Sequence, residues 1–184
     1  DAGSERVRIE SDLVGLGSSL PAPLAKSAGQ ALPLVATSQP QAGTRLYDVQ
    51  LDRTMGAVWR STSDGRFERG EVRFGGRAVL PGEPGLRLAG NGHGLDVSGW
   101  MDLLPDHEGG ASVPLSAIDL SIDAFDLMGR RYQDVHLQGR NRGGLLRAQV
   151  SGTGLNGVLT YRTAGDQPAR ISAQFRQLII PPRL

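Results

Sequence analysis

From Ser116 to Ile180 the chain alternates apolar and polar residues in twos. Ile118, Leu120, Ile122 and Ala124 are separated by Asp119, Ser121 and Asp123. Val135 and Leu137 flank His136, and Leu146, Ala148 and Val150 alternate with Arg147 and Gln149. Leu159 and Tyr161 flank Thr160, and Ile171, Ala173 and Phe175 alternate with Ser172, Gln174 and Arg176. A period of two puts the apolar residues on one face of a strand and the polar ones on the other. The connections hold turn formers: Met128-Gly129-Arg130, Asn141-Arg142-Gly143-Gly144, Gly152-Thr153-Gly154 and Ala164-Gly165-Asp166-Gln167-Pro168. This pattern predicts a five-strand antiparallel meander with one apolar face.

The first half reads as earlier copies of the same plan. Val7, Ile9 and Leu13 alternate with Arg8, Glu10 and Asp12. Pro21 and Pro23 then forbid a strand centre or helix interior. Tyr47, Val49 and Leu51 alternate again, Met55 to Thr62 returns antiparallel to them, and Ser63-Asp64-Gly65 is a turn signal. Phe67 to Phe74 is strand-like, with Gly75-Gly76 as a bend and Ala78 and Leu80 continuing the strand beyond it. Leu86 to Ala89 opens another strand. Residues 95–104 break the alternation: Asp96 or Ser98 can cap a short helix whose Trp100, Leu103 and Leu104 share one face, ended by Pro105. The expectation is a mainly β chain, a curved antiparallel sheet forming an open groove with one or two short helices. It is a single unit over 1–184, with possible sub-units 6–95 and 113–180 joined by a helix over 96–104 and a loop over 105–112.

Composition narrows the function classes. Glycine is 26 of 184 residues, about twice the usual share of ~7%; without a collagen period these residues read as turns and bulges. A net charge of +1 gives no argument for nucleic acid or for an acidic partner. Lys26 is the only lysine among 20 basic residues, a skew attributed to composition rather than recognition. With no cysteine there are neither disulfides nor thiolate metal sites, which suits the cytosol or a periplasm. No apolar run approaches the ~18 residues of a membrane span, and no signal peptide opens the chain. The chain is expected to be a piece of something longer.

Sites for chemistry are sparse. Gly90-Asn-Gly92-His-Gly94 has two glycines of a dinucleotide loop but Leu95 where the third belongs, so it reads as a plain turn between antiparallel strands. His93, His107 and His136 are not spaced to share a metal. There is no Gly-x-Ser-x-Gly elbow, and Asp119 and Asp123 share the solvated face of one strand. The reading is a non-enzyme with no cofactor and no metal. The apolar face remains: Ile118, Leu120, Ile122, Val135, Leu137, Leu146, Val150, Leu159, Tyr161, Ile171 and Phe175. By parity these project to one side of one sheet, which is the candidate lipid-facing side. Aliphatic residues dominate it, and a single helix cannot cover it, so acyl chains are the expected occupant. The rival is a closed, non-catalytic structural or interaction sandwich of the cell envelope.

Ser11-Asp-Leu-Val-Gly-Leu-Gly-Ser-Ser-Leu-Pro-Ala-Pro-Leu-Ala-Lys26 resembles a segment of YhdP-type proteins, a branch of the AsmA-like group. So do Arg69-Gly-Glu-Val-Arg-Phe-Gly-Gly76, Pro84-Gly-Leu-Arg-Leu-Ala-Gly90, Leu95-Asp-Val-Ser-Gly-Trp100 and Phe125-Asp-Leu-Met-Gly-Arg-Arg131. Val150-Ser-Gly152 and Gly157-Val-Leu-Thr-Tyr161 extend the likeness, which covers roughly Val7 to Leu178. The resemblance implies a periplasmic piece of a long protein anchored in the inner membrane of Gram-negative bacteria. Its β-groove would conduct phospholipid to the outer membrane, with neighbouring segments of the same chain as its other partners. It implies no catalytic residue.

Overall fold

A computed structural model describes residues 5–103, 114–164 and 167–184. Eleven strands form one open sheet in which spatial order follows chain order. They are β1 (Val7–Ser11), β2 (Leu34–Gln41), β3 (Thr44–Leu51), β4 (Met55–Thr62), β5 (Phe67–Phe74), β6 (Gly85–Asp96), β7 (Leu115–Leu127), β8 (Arg130–Arg142), β9 (Leu145–Gly152), β10 (Leu155–Ala164) and β11 (Gln167–Leu178). The helix, α1 (Val97–Leu103), lies between β6 and β7. The loop expected at 105–112, with His107, and the helix position Leu104 lie outside the described residues.

Local chemistry accounts for most of the strand boundaries. Between β7 and β8 the two turn residues Met128 and Gly129 have φ of 53° and 68°, the left-handed pair of a type I′ hairpin. Gly143 and Gly144 do the same between β8 and β9. The helix starts where the Asp96 side chain accepts the Gly99 amide at 2.9 Å, an N-cap.

Two expectations need correcting. The Gly90–Gly94 run is not a turn, and its neighbours are not antiparallel: β6 runs straight through it, parallel to both β5 and β7. Gly90 has φ of 105°, and a Cβ there would lie 2.0 Å from the Phe74 carbonyl oxygen. Only glycine lets β6 approach β5 so closely. A parallel pair also needs a crossover, so residues 75–84 are not a strand through Ala78 and Leu80. That crossover packs on the outer face, its Gly76 carbonyl and Ala78 amide lying against Gly56. Glu71, 1% exposed beneath it, accepts the Val79 amide at 3.1 Å and faces Arg73 at 2.7 Å and Arg87 at 3.5 Å.

The core sits on one face of the sheet with no second sheet opposite it among the described residues, so the closed sandwich is not what this chain forms. Leu120, Ile122, Val135, Leu137, Val150 and Leu155 are buried there against one another. Burial without a covering layer requires a bend whose inside crowds the side chains. The bend is centred on β8: Cα atoms of β7 and β9 come within 8 Å, against about 9.5 Å for two interstrand spacings of a flat sheet. Asp134 in β8 has φ of 53°, an irregularity that kinks the strand at this point.

Candidate functional site

Cross-strand partners share a side of the sheet, so the register decides which residues line the inside of the bend. Leu120 pairs with Leu137, Ile122 with Val135, and Leu137 with Val150. Asn141 pairs with Leu146, while Gly139 links Ile118 to Ala148, which pairs with Leu159. Tyr161 pairs with both Leu146 and Ile171, and Gly157 with both Val150 and Phe175. The ladder thus places all eleven sequence-derived positions on one face. Their surroundings differ. Leu120, Ile122, Val135, Leu137, Leu146 and Val150 are buried, and Ile118, Leu159 and Tyr161 are half-buried. Ile171 is 66% exposed and Phe175 40%. The first group forms a floor packed on itself, and surface for a ligand remains on the flank.

The same face continues across the first half, which residue counting within single strands did not connect. Leu88 on β6 pairs with Ile118 and with Val72 on β5. Val72 pairs with Ala57, Phe74 with Met55, and Tyr47 with Trp59. Beyond them Val49 meets Ala36, and Ala36 meets Ile9. Tyr47 and Trp59 stack with centroids 4.8 Å apart, and these side chains are only half-buried. The trough therefore runs from a tight floor at β7–β9 to a broader N-terminal flank, where Ile9 is 55% exposed.

The outer face is polar, and several of its side chains pair there. Asp119 faces Arg87 at 3.8 Å, Asp123 takes the His93 Nδ1 at 2.8 Å, and Ser121 meets the His136 Nδ1 at 2.9 Å. Next to the β7–β8 turn, Asp126 is held by two Arg131 nitrogens at 2.8 and 2.7 Å. Those hydrogen bonds keep its carboxyl below the usual carboxylate range against the opposing effect of partial burial. Among the described residues no group of three or more His, Cys, Asp or Glu side chains gathers to hold a metal.

One end of the trough is elaborated. The loop between β1 and β2 reaches past the ends of β3, β4 and β5 to α1, where the Ala22 carbonyl accepts the Trp100 indole N–H at 2.9 Å. Its shape is fixed from inside by Lys26, whose Nζ donates to the carbonyls of Leu13 at 2.8 Å, Ser27 at 3.2 Å and Leu16. The lone lysine thus has a structural task of its own. Helix α1 itself differs from expectation: Trp100 is half-buried against the loop, but Leu103 is 52% exposed. Beneath the loop lies a cavity of about 680 Å³. Its walls are Ala22 and Pro23 of the loop, Arg53 and Thr54 of the β3–β4 turn, Phe74 and Gly75, residues 91–94 of β6, and Asp123.

This geometry, an open apolar trough built from a chain-ordered sheet, meets a family match over nearly its whole length. A protein-family model described as "YhdP protein" matches residues 1–183. The chain belongs to the YhdP family. No curated protein and no solved structure matches it. The residues that carry the likeness to YhdP proteins have structural tasks here: the Ser11–Lys26 stretch is the caged loop, and the Arg69–Gly76 and Pro84–Gly90 stretches build the parallel β5–β6 pair. Among the described residues no helix is long and apolar enough to cross a membrane.

Proposed function

We propose that this chain is a periplasmic segment of a YhdP-type bridge between inner and outer membranes, and that its trough conducts phospholipid acyl chains. The observation that carries the reading is the continuous apolar face of eleven strands with no layer over it among the described residues, flanked by exposed Ile9 and Ile171. An uncovered apolar face of this extent in water is a liability unless an apolar partner occupies it. Each acyl methylene sheltered there is worth ~0.8 kcal/mol, and the open side lets a headgroup stay in water. Transport on this reading is passive and needs no catalytic group.

Neighbouring positions on one strand provide the test. A photoreactive side chain placed at Ile171 or Phe175 should capture lipid from phospholipid vesicles, whereas one at Ser172 or Gln174, on the opposite face, should not. Equal capture from both faces, or none, would overturn the lipid reading. Ile171→Asp is the companion variant. Ile171 is exposed, so the fold should survive, and native mass spectrometry should detect less co-purified lipid.

A further inference from the structure

The cavity under the β1–β2 loop joins two chemistries. Phe74 and Gly92 belong to the inner face of the sheet, since Phe74 packs against the core and Gly92 pairs with Ile122. The cavity lies where β5 ends at Phe74 and β6 runs on, so it borders the apolar trough through Phe74 and Gly92 and the outer face through His93 and Asp123. Gly92 and Gly94 keep it open, with no side chain from β6 at either position. On its opposite wall stands Arg53, an exposed guanidinium with no ion pair or hydrogen bond among the described residues. The carboxylate there, that of Asp123, is engaged with His93 Nδ1 at 2.8 Å. An apolar chamber with one uncommitted guanidinium at its rim suits a molecule with a greasy tail and a phosphate ester. We propose that this end of the trough is a headgroup seat, in which Arg53 binds the phosphate of a lipid whose chains lie on Phe74 and the strip beyond. The inference rests on the lipid reading above and adds to it a polarity, with the headgroup at the loop end.

Short-chain, monomerically soluble lipids separate the outcomes, with dihexanoyl phosphatidate, dihexanoylglycerol and inorganic phosphate each titrated into the full chain. Phosphatidate should bind on the order of tenfold more tightly than the diacylglycerol. Arg53→Gln should erase that difference while leaving diacylglycerol binding unchanged. Arg66→Gln, in the turn at the opposite end, is the control and should change nothing. Equal binding of both lipids would overturn the headgroup seat and leave the trough reading intact. Binding of neither lipid would remove both. Inorganic phosphate binding as tightly as phosphatidate, and lost in Arg53→Gln, would make the site one for free phosphate and overturn its assignment to lipid.

Discussion

At the scale of single residues, the clearest task falls to Lys26. An ammonium offers three donors on a point charge and can meet converging carbonyls, as it does with those of Leu13, Leu16 and Ser27. The planar fork of arginine cannot reproduce that arrangement. Lys26→Arg should therefore loosen the loop by about 1–3 kcal/mol while the sheet stays folded. Amide exchange would accelerate between Asp12 and Pro33 only, and unchanged protection there would refute the cage. Asp126 supplies a pH dependence. Its folded carboxyl titrates below its ordinary value because Arg131 hydrogen-bonds it. The stabilisation is thus complete above about pH 3.9 and is lost as pH falls through the lowered value. Asp126→Asn should narrow the loss of denaturation midpoint between neutral pH and about pH 3. An identical loss in parent and variant would remove Asp126 from the account.

At the scale of elements, what was legible in the residues was what is local. The β7–β8 hairpin is readable from its alternation and from Gly129, whose φ of 68° is costly for residues with a Cβ. Gly129→Ala meets no neighbour within 4 Å, so its expected cost of about 1–2 kcal/mol is purely conformational. Thermal unfolding of the variant checks this, and an undiminished melting temperature would refute it. Strand β6 was not legible because its signal is inverted. Glycines that ordinarily mark a turn here permit a close parallel approach, and the partners come from distant stretches of chain. The inner face followed the same divide. Parity within each strand of the second meander could be read directly. Its continuation through Leu88, Val72 and Tyr47 depended on the register at β5–β6–β7, which no local pattern encodes. Arg53 carried no signal at all, because a turn arginine becomes notable only once a loop from elsewhere has roofed the space beside it.

At the scale of the whole molecule, the sheet has two bare edges among the described residues. Every residue of β1 is exposed, as is each described side chain of β11. Unpaired edge strands template further pairing, and charges on them suppress it. The isolated chain should therefore gain mass with concentration in light scattering, and Ile9→Lys together with Ile171→Lys should return it to a monomer. A parent that stays monomeric at high concentration would contradict this.

The parallel strand β6 also bears on how the trough deforms. Because β5 reaches β6 by a crossover, the centre of the sheet carries an outer pad of chain, held down by the buried Glu71 carboxylate. Among the described residues the margins have no such backing. Local opening is easiest where buried contacts are fewest, so flexing concentrates in the lateral strands while the middle acts as a keel. The aperture then widens and narrows from its sides over a floor that stays in place, and a passing cargo meets compliant walls on a stiff bed.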